Sequence, residues 1–174
     1  MVIPSTRTAS AVALAALLSA PLASQADDTL PLRVIDSQGT VVGRLNGENA
    51  FMVVSGVNVE VGLKQGRDGL RWKVPDGDLW FDSTDCTGVA YLLKKRLSPK
   101  VFGTMPSTLV GRQGGPTLYF GHSDSYQSLT GPWHSTLNRA GRCRVIEVGG
   151  PQEVWVLDQS TNLGVLFSMP MHVQ

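Results

Sequence analysis

Beyond residue 26, a turn signal falls about every 8–12 residues, and no window shows three or four turns of helical periodicity free of glycine or proline. Such spacing leaves room for short strands and tight turns and excludes helix bundles and strand–helix–strand layouts. The chain is therefore expected to be all-β, a disulfide-stapled antiparallel sandwich or partly open barrel built from hairpins.

The stretch Leu79 to Leu93 organises the rest. Leu79-Trp80-Phe81 and Val89 to Leu93 are apolar runs around a polar bend ending in Gly88, the pattern of a β-hairpin, with Cys86 in the bend. Upstream, Leu30 to Ile35 and Thr40 to Leu45 flank the turn Asp36-Ser37-Gln38-Gly39. Ala50 to Ser55 and Val57 to Leu63 form a second, valine-rich hairpin. Leu70, Trp72 and Val74 alternate as a half-buried strand would. Downstream, Thr117 to Phe120, Arg142 to Val148 and Glu153 to Leu157 read as strands. Pro106 to Pro116 reads as a crossing and Thr130 to Gly141 as irregular chain. The tail from Leu163 to Met171 is apolar, either a final strand or a cover for an open edge.

Residues 1–26 read as a secretory signal rather than as part of the fold. Arg7 supplies the positive end, Ala9 to Leu22 the apolar stretch, and Ser24-Gln25-Ala26 the small residues before cleavage. The apolar stretch falls short of the roughly 20 residues of a membrane span, so no integral membrane segment is expected after cleavage. Residues 27–174 are expected to form a single all-β domain, exported to the periplasm or the extracellular space. Of 15 Lys and Arg, Arg7 leaves with the signal, so 14 basic residues face 14 acidic ones. That balance gives no electrostatic reason for nucleic acid as a partner. The one basic run, Lys94-Lys95-Arg96, reads as a solvated turn.

Export lets the two cysteines, Cys86 and Cys143, pair as a disulfide, with free or intermolecular thiols as the alternative. They lack the spacing and neighbouring histidines of a zinc site, and no sequence motif asks for a cofactor. Asp76, Asp78, Asp82 and Asp85 offer oxygen ligands at short spacing, a weak calcium alternative without the known loop patterns. Turn capping by their carboxylates is the plainer reading.

His122-Ser123-Asp124 sets catalytic residue types side by side, but adjacent strand residues point to opposite faces, and the nucleophile-elbow pattern is missing. A small secreted hydrolase using His122 or His134 with Asp124 remains as an alternative. Trp72, Trp80 and Trp155 sit on expected strands as core rings. Trp133, beside His134 and flanked by Gly131-Pro132, reads as a loop aromatic, either packed within its loop or able to contact a glycan or a protein, with Tyr126 nearby.

The run Val34-Ile35-Asp36-Ser37-Gln38-Gly39, then Val41-Val42-Gly43, the valine-rich hairpin, and Leu79-Trp80-Phe81 leading to Asp85-Cys86-Thr87-Gly88 resembles a loose group of exported bacterial β-rich proteins. The resemblance spans roughly residues 32 to 93. The group carries no assigned activity, so the likeness implies export and nothing about chemistry. The leading expectation is a non-catalytic β-domain binding a protein or glycan through Trp133, Tyr126 and His134. A structural or assembly role, using Val165 to Met171 to add a strand to another chain, is the further alternative.

Overall fold

Strand β3 (Asn49–Val54) and strand β4 (Val57–Gln65) are joined by Ser55-Gly56. Both turn residues take positive φ, 51° and 80°, the backbone a two-residue hairpin turn requires. Val54 accordingly pairs directly with Val57. Along this hairpin, Ala50, Met52 and Val54 alternate inward, as do Val57, Val59, Val61 and Leu63. Strands β1 (Arg33–Ile35), β2 (Val41–Asn46) and β5 (Leu70–Trp72) extend the sheet on its two sides.

The tail closes it. Met171 exchanges backbone hydrogen bonds of 2.7 and 3.0 Å with Leu70 in β5, and Gln174 exchanges two of 2.9 Å with Arg33 in β1. Between them lies the short strand β15 (His172–Val173), paired with β1. The segment from Met171 to Gln174 thus bridges both edges of the sheet and leaves it a nearly closed barrel. Val34, Met52, Val59, Leu63 and Met171 fill it. Trp72 joins them, its ring 6.1 Å from that of Phe167. The computed structural model describes residues 31–75, 78–94, 103–111, 115–123 and 126–174.

A second six-stranded sheet runs β10 (Gln127–Thr130), β13 (Pro151–Leu157), β7 (Ala90–Leu93), β6 (Leu79–Phe81), β11 (Trp133–Leu137) and β12 (Cys143–Val148). At its centre is the expected hairpin, with Trp80 opposite Tyr91. Three further strands, β14 (Gln159–Asn162), β9 (Thr117–Phe120) and β8 (Ser107–Val110), make a small sheet. Its residues serve two cores. Leu118 and Phe120 join the barrel cluster, while Tyr119 between them joins the cluster of the second sheet. Leu109 and Val110 divide the same way. A strand buried on both faces reads as an unbroken apolar run, which is how Leu118-Tyr119-Phe120 looks in sequence.

Two expectations need correction. Pro106 to Pro116 is not merely a crossing, since β8 lies inside it, and Thr130 to Gly141 is not irregular, since β11 runs through it. Gly131-Pro132 looked like loop punctuation, yet Gly131 serves β11 itself. A side chain at Gly131 would place its Cβ 2.7 Å from the Trp133 ring. The tail also holds one turn of helix, α1 (Leu163–Leu166), begun by Asn162, whose side chain accepts from the Gly164 N–H. No helix among the described residues is long and apolar enough to cross a membrane.

Two local devices secure this arrangement. Cys86 and Cys143 form a disulfide, fixing the β6–β7 bend to the start of β12. Cys86 itself has φ of 57°, a backbone rarely taken by side-chain-bearing residues. It is held there from a second direction by Ser135, a fully buried residue of β11. The Ser135 hydroxyl accepts from the Cys86 N–H at 3.0 Å and donates to the Ser83 carbonyl at 2.6 Å.

Asp36 secures the barrel seam. Its carboxylate accepts from the N–H groups of Gln38 and Thr40, closing the β1–β2 turn, and from the N–H of Ser168 at 2.9 Å, anchoring the tail. The Ser168 bond, ahead of those from Thr40 and Gln38, holds its pKa below the usual 3.8 despite desolvation acting the other way.

Replacing both cysteines with serine should cost roughly 4 kcal/mol in urea unfolding, the loop-entropy value for a closure of 57 residues. The Asp36 pKa is depressed on folding, so its contribution is complete above the unfolded value of 3.8 and fades as pH falls through the lowered one. Urea titrations should therefore show Asp36→Asn less stable than the parent by a constant margin at pH 5–7, narrowing below about pH 4.

Candidate functional site

The residues singled out in sequence do not converge. Trp133 lies on β11 and is 2% exposed, with its ring 5.2 Å from Trp80 and 6.5 Å from Tyr91. It is a core ring of the second sheet, not a loop aromatic, and it offers no contact surface. His134 follows it on the same strand, half-buried, where the register with β12 shifts between Trp133 and Ser135. Tyr126 is exposed but engaged. Its ring stands edge-on to Trp155 at 5.9 Å, and the Lys94 ammonium sits 3.4 Å from its centroid. Lys94 also meets Glu153 at 3.2 Å. Contact with Tyr126, ahead of Glu153, raises the Lys94 pKa above its ordinary value against an opposing desolvation.

His122 finds a carboxylate, though not the one expected. Its Nδ1 lies 3.1 and 3.3 Å from the two oxygens of Asp158, on the bend between β13 and β14. Both side chains are about half exposed. Asp124 lies outside the described residues, as does Asp76. Of the remaining aspartates, Asp85 accepts from the Thr87 hydroxyl at 2.7 Å, a bond that lowers its pKa and completes the bend around Cys86. Among the described residues, no three His, Cys, Asp or Glu side chains converge as metal ligands would.

What the fold does build is a groove on the barrel. Residues directly opposite one another in a ladder share a face. The registers place Arg33 opposite Arg44, Arg44 opposite Phe51, and Phe51 opposite Glu60, one row across four strands. Both arginines are exposed and Phe51 is half-buried. Along β3 and β4 the next outward pair is Val53 and Asn58, with Val53 66% exposed. The far wall is the segment from Gly103 to Met105. The Met105 N–H donates to the Asn58 carbonyl at 2.8 Å, and Met105 forms a parallel bridge to Val59. Between these walls lies a cavity of about 580 Å³, lined among others by Arg33, Arg44, Phe51, Asn58 and Thr104.

Gly43 shapes its floor. A Cβ on Gly43 would sit 2.3 Å from the Phe51 carbonyl oxygen, so only glycine lets β2 lie this close to β3. None of the described lining residues is acidic, and among the described residues neither guanidinium has an ion-pair partner. Glu60, the acid of the row, stands two strands from Arg44, about 10 Å away at ordinary strand spacing.

Comparison with family profiles, curated proteins and solved structures finds no match. The groove was missed in sequence because its members are 11 and 7 residues apart, Arg33 to Arg44 to Phe51, on three different strands. Only the register brings them into line.

Trp133→Ala should cost about 3–5 kcal/mol in chemical unfolding, the range for removing a buried aromatic ring, whereas an exposed recognition residue would change stability by under about 0.5 kcal/mol.

Proposed function

We propose that this chain is an exported, non-catalytic β-domain that binds a glycan in the groove over β1–β4, in the periplasm or outside the cell. The groove carries the proposal. Its volume, about 580 Å³, falls within the usual range for small-ligand sites. A protein partner would instead need roughly 800 Å² of surface from this side. The lining chemistry suits a sugar. Phe51 offers a ring for the apolar face of a pyranose, Asn58 an exposed amide for hydroxyl groups, and Val53 an apolar rim. The disulfide supports export, because such bonds persist in oxidising compartments.

The other readings have less behind them. A hydrolase would start from the His122–Asp158 pair, a carboxylate orienting an imidazole. With both partners about half exposed, solvent screens the pair. Assembly through the C-terminal stretch would need its backbone free, yet Met171 and Gln174 spend theirs on β5 and β1.

Heteronuclear NMR of the oxidised chain with a panel of neutral and acidic hexasaccharides tests the groove. Shifts should cluster on Val41, Phe51, Val53 and Asn58, and Phe51→Ala should weaken binding by about tenfold, the scale of one lost aromatic contact. Shifts centred on Tyr126 or His122, or an affinity indifferent to Phe51→Ala, would overturn the assignment.

A further inference from the structure

We infer that the saccharide held in this groove is acidic, carrying a carboxylate or a sulfate ester that bridges Arg33 and Arg44; this rests on the groove being the glycan site. Two arginines directly opposite in an antiparallel ladder repel each other, a pairing that costs the sheet stability. An acid between or beside the two would relieve the repulsion. Here no acidic side chain among the described residues does: the lining has no Asp or Glu, and Glu60 is separated from Arg44 by the width of Phe51.

The conflict is also local. Arg7 aside, the chain balances 14 basic against 14 acidic residues, so this uncompensated pair is not the by-product of a basic surface. A local rule broken without internal compensation marks a place where an external group supplies the missing interaction. Guanidinium forks suit an anion with two coplanar oxygens, which each can take bidentately. Phe51, the next residue in the same row, lies where the sugar ring bearing that anion would rest. Charge and ring face are thus offered side by side, at one strand spacing.

Titration calorimetry with four hexameric probes separates the possibilities: oligogalacturonate, a sulfated maltohexaose, maltohexaose itself, and hexaglutamate. One of the two acidic sugars should bind at least about tenfold more tightly than maltohexaose, the preferred one showing whether the anion is a carboxylate or a sulfate ester. Arg33→Gln with Arg44→Gln should bring it down to the neutral level and flatten the dependence on salt. The same double variant should melt no lower than the parent, since it removes a repulsion, which distinguishes a lost contact from a lost fold.

Equal binding of acidic and neutral sugars, with Phe51→Leu still weakening both, would overturn the anion and leave the groove standing. Hexaglutamate binding as tightly as either sugar, untouched by Phe51→Leu, would overturn both, leaving a site that reads charge alone.

Discussion

The barrel depends on one segment making two sets of backbone bonds at once. Met171 meets Leu70, a hundred residues earlier in the chain, and Gln174 meets Arg33, still further back. Without that segment, β1 and β5 would both be open edges, and the interior filled by Val34, Val59 and Trp72 would have a wet seam. Closing such a long loop costs entropy before any contact repays it. The anchoring of Ser168 by Asp36 offsets part of that cost by bringing the tail beside β1 just ahead of the seam. The groove on the outer face inherits its order from this closure, because Arg33 belongs to the strand that the tail secures.

How far the fold could be read in advance follows from the range of the interactions concerned. Hairpins with their own turn chemistry were legible. Ser55-Gly56, Asp36 to Gly39 and the bend around Cys86 all lie where their residues put them. The disulfide followed from parity and from the export expected of the leader. Strands β8 and β11 were hidden because glycines and prolines around them read as punctuation. At Gly131 the missing side chain in fact makes room for the Trp133 ring. The choice between sandwich and barrel was not legible, and the molecule combines a nearly closed barrel with two further sheets.

The candidate site shows the same limit more sharply. Sequence reasoning looks for chemistry among neighbours, and so it chose His122 with Asp124, and Trp133 with His134. On strands, adjacency in sequence separates side chains across the sheet, while register unites residues that sequence keeps apart. Arg33, Arg44 and Phe51 are ordinary residues until the ladder lines them up. Even the turn at Asp36 to Gly39 does not reveal the pair: from Ile35 opposite Val41 a regular ladder would set Arg33 against Gly43, and it is a register shift between Val34 and Ile35 that brings Arg33 opposite Arg44.

The small middle sheet has a consequence for how the molecule can be divided. Its strand β9 turns Leu118 and Phe120 to the barrel and Tyr119 to the second sheet. A scission between β7 and β8 would therefore not release two domains. The first fragment would lose the layer that caps its barrel and also strands β10 to β13 from its sheet, and the second would carry bare apolar faces on both sides of β9. Although residues 31–174 have separate clusters of buried residues, they form one compact unit, and gene fragments cut there would give aggregates rather than halves.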